Sequence, residues 1–290
     1  MTIARPGGLF FQVGASDLFS AERCYSEGDL DSGAASAEEA VAIFRAMDFP
    51  FGVAWGLIFE AFIREAQQDA GAARRLAEEA LAIARGDGLP REEGRSLLVI
   101  ARLQHREGSL DGAEDTLHQA LGIFARSHLS MEMVMALEHI AAIACANESY
   151  VEAARLLGAT QAARDGMGYP RPPIRRDEHD TLLATLRAAL GHDGFDAAWN
   201  DGAALMLDEA VAYGTRARGE RKRPSHGWAS LTPTELDVIR LVREGLTSPK
   251  IAERMFITHD TVRTHLKHVF VKLGVSTRAE LAAKAERRQI

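Results

Sequence analysis

Residues 258–274 read T-H-D-T-V-R-T-H-L-K-H-V-F-V-K-L-G. On a helix of about 3.6 residues per turn, Val262, Leu266, Val269, Phe270 and Leu273 form one apolar stripe. Asp260, Thr264, Lys267 and Val271 fall on the opposite side, with Arg263 on its flank. Thr258 suits an N-cap, Asp260 the positive end of the helix dipole, and Gly274 a left-handed stop. A short helix with an Arg/Thr/Lys outer face, seated on other short helices, fits a DNA major groove. Alone, the same face is only a solvated surface, so the neighbours decide.

The neighbours are short, capped helices. In Leu231-Thr232-Pro233-Thr234-Glu235, Thr232 is the expected N-cap, Pro233 the first helical residue, and Glu235 the closing member of a capping box. Leu236, Ile239 and Val242 supply the buried stripe, and Gly245 ends it. Thr247 or Ser248 caps a second helix through Met255, with Ile251, Ala252 and Met255 inward. Phe256-Ile257-Thr258 is the turn into the opening stretch. Ser276 is the expected cap of a last helix over 277–287, with Leu281 and Ala285 on one face. The order is a helix-turn-helix with a fourth helix.

Across residues 229–290 the motifs I-A-E-R, T-V-R-T-H and K-L-G-V-S-T-R-A-E-L resemble the LuxR-type (GerE-like) DNA-binding domain of bacterial transcription factors. The resemblance implies that Arg263, Thr264 and Lys267 face base edges. It makes His265, Lys272, Arg278 and Ser248 candidates for phosphate contacts or for fixing the docking. It also implies a dimer surface on the closing helix, with Leu281 and Ala285. Two positions depart from the family pattern: Lys250 stands where Glu is usual, and Val271 where a charged residue is common.

Upstream, a period of 40 residues organises the chain: Ala21, Ala61, Ala101 and Ala141 coincide, as do Leu57, Leu97 and Leu137, then Ala73, Ala113 and Ala153. Ala40, Ala80 and Ala120 follow, beside Ile43, Ile83 and Ile123. Pro50, Pro90 and Pro170 punctuate the ends, with Ser130 in the remaining slot. Each unit breaks once between two helical patterns, at 28–31, 68–71, 108–111 and 148–151. Stacked helical hairpins of this kind bury a continuous core and leave a concave face. Residues 1–174 therefore resemble tetratricopeptide repeats in a longer, degenerate form. Trp55, Phe59 and Phe62 read as packing between repeats, and Met131, Met133 and Met135 as filler.

After the break at 166–173, two more helical patterns lie near 177–190 and 194–212, split by Gly191-His192-Asp193-Gly194. Residues 175–213 read as a hairpin that caps the solenoid, with Phe195 and Trp199 in its core; the segment also resembles one that precedes the DNA-binding domain in many bacterial regulators. Residues 214–228 read as a flexible basic linker.

The overall charge of −7 conceals an asymmetry: residues 216–290 hold 16 Lys and Arg against 8 Asp and Glu, while residues 1–215 hold 18 against 33. That balance points to a polyanion partner for the C-terminal quarter alone. Cys24 and Cys145 lie in apolar helical patterns, as buried free thiols of a reducing cytoplasm would. No stretch reads as a signal peptide or a membrane span, no His spacing as a metal site, and no nucleophile–base pair or cofactor loop is present. G-x-x-x-x-G-K-[ST] is absent.

An all-α chain is expected: a tetratricopeptide-like solenoid followed by a four-helix LuxR-type domain. The expected function is transcriptional regulation without catalysis or cofactor, in the cytoplasm. The C-terminal domain would bind promoter DNA as a homodimer, with RNA polymerase a further candidate partner and a protein or small-molecule effector on the solenoid. The combination resembles the C-terminal part of large LuxR-family ATP-dependent regulators, either standing alone or as a piece of one. The rival expectation is an interaction scaffold whose helix-turn-helix serves dimerisation or protein binding.

Overall fold

The computed structural model describes residues 6–221, 227–228, 231, 233–255 and 259–288; the side chains of 6–9, 216–221, 233, 234, 237, 260, 261, 264 and 268 lie outside that description. Among the described residues every regular element is helical. The chain divides into two compact units, before and after the boundary between Gly214 and Thr215.

The first unit begins with four helical hairpins: α1 (Pro6–Glu27) with α2 (Leu30–Ala46), α3 (Pro50–Ala66) with α4 (Ala70–Asp87), α5 (Pro90–Arg106) with α6 (Leu110–Arg126), and α7 (Ser130–Ala146) with α8 (Tyr150–Met167). The starts fall on the expected register. Proline opens α3 and α5, where its missing N–H costs nothing. Asp29 and Asp69 accept the backbone N–H of Ser32 and Ala72 at the heads of α2 and α4.

The alanines of the repeat do the packing. Ala21, Ala61 and Ala141 have no exposed surface, nor do Ala73, Ala113, Ala153, Ala40, Ala80 and Ala120. Side chains this small let neighbouring helices approach, and Leu57, Leu97, Leu137, Phe44 and Phe124 fill what remains. Both cysteines are free and buried in this unit.

A second, finer period lies at the helix ends. Gly28, Asp48, Gln68, Gly88, Gly108, His128, Glu148 and Gly168 all have φ between 51° and 89°, one every 20 residues. In each case the following N–H reaches back to a carbonyl five residues earlier, as Asp29 to Cys24 at 2.9 Å and Ser149 to Ala144 at 2.8 Å. This is the left-handed stop that closes a helix and reverses the chain.

Beyond α8 a short 3-10 turn (Pro173–Arg175) leads into α9 (Arg176–Ala203), which breaks at Gly191 (φ 68°, ψ 174°) where the sequence places a split. Phe195 is buried and stacks near Trp199 at 5.5 Å, the cap core expected of both. The second expected helix ends at Ala203, not near 212, and α10 (Leu207–Arg221) starts after a turn. Residues 214–221 are therefore helical, whereas they were expected in the linker. Glycines set the closeness of α8 and α9: a Cβ on Gly202 would stand 1.8 Å from the Arg155 carbonyl oxygen, and one on Gly158 would stand 2.2 Å from that of Trp199.

The second unit holds α11 (Pro233–Arg243), α12 (Ser248–Met255), α13 (His259–Leu273) and α14 (Arg278–Glu286). The expected caps Thr232 and Thr258 and the turn residues Phe256 and Ile257 lie outside the described residues. α12 starts at Ser248, and the Ile251 N–H reaches the Thr247 carbonyl. The cap of α14 is Thr277, not Ser276: its hydroxyl accepts from the Glu280 N–H at 3.2 Å, and the Glu280 carboxylate accepts from the Thr277 N–H at 3.3 Å.

Candidate nucleic-acid interface

The interface is built on the two faces of α13. Val262, Leu266, Val269 and Leu273 are at most 8% exposed and join Val238, Ile239 and Val242 of α11, Ile251 and Ala252 of α12, and Leu281 and Ala285 of α14 in one core. Burying each such aliphatic side chain is worth about 1.5–3 kcal/mol, so this stripe fixes the roll of the helix. The roll decides what faces outward. Arg263, Lys267 and Val271, spaced four apart on the opposite side, are all exposed, and Val271 is 63% so. His265 is half-buried on the flank. The backbone of Thr264 lies on α13 between them, and its side chain is outside the described residues.

The remaining candidates do not share this face. Lys272 turns toward α11, where its Nζ donates to both carboxylate oxygens of Glu235, at 2.9 and 2.8 Å. Glu235 is 2% exposed, so the pair locks the end of α13 to the head of α11. The expected capping-box residue is thus the partner of an expected phosphate ligand. Arg278 donates to the Leu246 carbonyl and, at 3.3 Å, to the half-buried Ser248 hydroxyl. It ties the start of α14 to the turn after α11, and burial lowers its pKa. These contacts suit Lys272, Arg278 and Ser248 to positioning the helices.

Leu281 and Ala285 require a correction. Both have no exposed surface and pack inside the unit's own core, so neither presents to a second copy. The apolar face of α14 is consumed in closing the domain against α11. The pattern showed an apolar face, and a pattern does not say which partner covers it. Two cations on α12, Lys250 and Arg254, are exposed; Arg254 closes the motif I-A-E-R but was not among the candidate site residues. Among the described residues no group of His, Cys, Asp or Glu is placed to hold a metal ion, and no helix is long and apolar enough to cross a membrane.

Residues 229–285 match the GerE family of bacterial regulatory proteins, the luxR family. Over 282 residues, 97% of this chain, the sequence is 39% identical to Rv0890c of Mycobacterium tuberculosis, whose name calls it an HTH-type transcriptional regulator. The chain spans only 31% of that relative's length. The transcriptional regulatory protein LiaR of Bacillus subtilis is 36% identical over 121 residues, 41% of this chain and 56% of LiaR. The crystal structure of apo RapI overlays 96% of this chain and 84% of its own at 12% identity, with a TM-score of 0.46. The C-terminal unit is a LuxR/GerE-type helix-turn-helix domain, and it follows tetratricopeptide-like helical repeats.

Proposed function

We propose that the chain is a sequence-specific DNA-binding transcriptional regulator, with α13 as the recognition helix and the helical repeats as an effector-sensing module. The observation that carries this reading is the pair Arg263 and Lys267, exposed on the side of α13 opposite its wholly buried stripe, within a LuxR/GerE-type domain. In the major groove, the Arg263 guanidinium can pair with the O6 and N7 of guanine. Lys267 reaches the same edge or a phosphate, and Thr264 sits between them in sequence to read a neighbouring base. His265, half-buried on the flank, would contact a phosphate. Lys272, Arg278 and Ser248 act by holding α13 and α14 in register, with any phosphate contact secondary.

Two copies on paired half-sites remain part of the proposal, through a surface other than Leu281 and Ala285, and RNA polymerase is the partner that a promoter-bound regulator would meet. The test is binding of the purified chain to generic duplex DNA across a salt series, followed by selection from a random DNA library. A steep log–log fall of affinity with salt and an enriched motif are expected. Salt-independent binding, or none, would favour a protein-interaction scaffold instead.

A further inference from the structure

The first unit contains a cavity of about 110 Å³ that the function above does not use. Its walls come from α1, α3, α5 and α7 with Leu157 and Arg164 of α8, and the segment from Tyr169 through the first turns of α9 lies across it. Arg175, on that segment, donates to the Tyr25 hydroxyl of α1 and lies over its ring at 5.5 Å.

The period of the repeats locates the wall. Glu22, Phe62, Arg102 and Ala142 are equivalent positions 40 residues apart, as are Phe19, Phe59, Val99 and His139, and Ala15, Trp55, Arg95 and Met135. Charged and polar residues thus enter positions that other repeats fill with apolar side chains. Most of them line the cavity; Arg102 stands just behind, bonded to His139.

The cluster is short of negative charge. Glu65, with no exposed surface, takes Arg102 through two bonds of 3.0 Å, Arg106 at 2.7 Å and Arg175 at 3.6 Å. Glu138 takes Arg164 through two bonds of 2.8 and 2.9 Å and Arg171 at 2.5 Å. Glu132 takes Arg95 at 3.0 Å and Arg91 at 3.1 Å. Of these groups, five arginine side chains (Arg95, Arg102, Arg164, Arg171 and Arg175) are at most 22% exposed, against three carboxylates at most 17% exposed. Glu178 and Glu22 add charge from more accessible positions. The Arg95 Nε is buried without a hydrogen-bond partner. With Glu178 and Glu22 and the exposed Arg91 and Arg106 all counted, seven arginines meet five carboxylates, a local excess in a unit whose overall balance is strongly acidic.

Two further observations shape the ligand. Desolvation and the nearby Arg102 hold His139 neutral, with its pKa well below the usual range, and Arg102 donates to its Nε2 at 3.0 Å. The ring's proton therefore sits on Nδ1, and the histidine does not add to the positive charge. Beside the arginines, Tyr25, Phe59 and Phe62 form an aromatic group with ring centroids 5.6–6.4 Å apart, with Arg175 over the Tyr25 ring and Arg95 over the Phe59 ring at 5.8 Å. Leu157 and Leu182 extend the apolar wall.

We propose that this cavity binds a small organic carboxylate with a ring-bearing apolar body. The carboxylate would compete with Glu138 and Gln161 for the N–H groups of Arg171 and with Glu178 and the Tyr25 hydroxyl for those of Arg175, and the ring would lie against Phe59 and Phe62. A buried guanidinium that shares its carboxylate with others is under-compensated, and an anionic ligand supplies what is missing. The proposal deepens the reading of the repeats as the sensing module and rests on it.

The test uses the full chain without DNA, by calorimetric titration and thermal melting. Benzoate, phenylacetate, hydrocinnamate and indoleacetate are compared with their neutral amides and with acetate. Saturable binding of at least one ring carboxylate is expected, with its amide and acetate at least tenfold weaker. Arg171→Gln should weaken that binding at least tenfold while keeping the helical circular-dichroism signal, and Arg175→Lys should weaken it less. Absence of binding across the ring carboxylates, equal binding of an amide, or indifference to Arg171→Gln in a folded variant would overturn the proposal. Generic-DNA binding is measured separately without any probe. Loss of the carboxylate result alone then leaves the regulator reading standing, and loss of DNA binding alone leaves the cavity standing.

Discussion

On the proposed reading, single side chains divide the C-terminal cations into readers and holders. Arg263→Ala should cost about 1–3 kcal/mol at one base position and relax preference there, as should Thr264→Ala. Competition binding against single-base variants of the selected site checks this, and equal weakening on every sequence would reduce these residues to phosphate contacts. Lys272→Ala should behave differently, because it strands the buried Glu235 carboxylate. Its mark is a lower melting temperature of the C-terminal unit, with sequence preference intact. The sequence showed Lys272 as one more positive charge at a family position. Its partner stands 37 residues earlier, and a separation of that kind is invisible until the chain is folded.

Glu65→Gln tests the buried cluster in the same way. It leaves Arg102 without its two-bonded partner and should destabilise the repeats by about 3–5 kcal/mol, read by urea unfolding. Burial and neighbouring arginines also give the cluster a pH dependence. Burial first, then Arg102, lowers the His139 pKa; burial likewise leads the lowering at His105 and His179. The unfolded chain then binds more protons than the folded one below about pH 6.5, so stability is full above that value and falls as the pH drops. For Glu178, burial is outweighed by the guanidinium groups of Arg102 and Arg175, which lower its pKa. Its contribution is therefore retained until well below the histidine window. Thermal melts from pH 7 to pH 5 should show the decline, and His139→Gln should flatten it. An unchanged slope would mean that His139 is protonated in the fold.

At the scale of the helix, turn chemistry proved less readable than periodicity. The 40-residue repeat was plain because alanine and leucine recur at buried positions. The 20-residue recurrence of left-handed stops was not, because only four of the eight are glycine. Asp48, Gln68, His128 and Glu148 occupy a backbone region that costs an L-residue roughly 1–2 kcal/mol. His128→Gly should therefore stabilise the repeats by about 1 kcal/mol, raising the urea midpoint; a lowered midpoint would mean that the His128 side chain repays its strain. Gly202→Ala should do the opposite. Its methyl would collide with the Arg155 backbone, at the upper end of the ~1–3 kcal/mol typical of overpacking. The cavity was illegible for a related reason. Phe59 and Phe62 do pack between repeats, as their spacing indicated, but they also form a wall that exists only once four hairpins and a returning segment meet.

For the whole molecule, charge separation makes its own prediction. The body carries 33 acidic residues against 18 basic ones up to residue 215, and the remainder carries 8 against 16. Like charge repels DNA over distances set by ionic strength. A fragment beginning at Thr215 should bind generic duplex DNA more tightly than the full chain at low salt. The gap should shrink above about 0.15 M, where screening reaches about 8 Å. A gap that persists at high salt would require a steric cause.

The bond between Arg175 and Tyr25 joins residues 150 apart in sequence, and it makes the body a counting device. A stack of hairpins has no preferred length of its own: any number of 40-residue units obeys the same seam. The returning segment can touch the first helix only if a fixed number of units lies between them. Splicing a fifth unit in at Pro90 would leave every helix, stop and alanine contact correctly phased, yet it would pull the returning segment away from α1 and take the cavity apart. Units of this kind are easily gained or lost by duplication, so selection for the cavity would show itself as a frozen repeat number in a body otherwise free to vary.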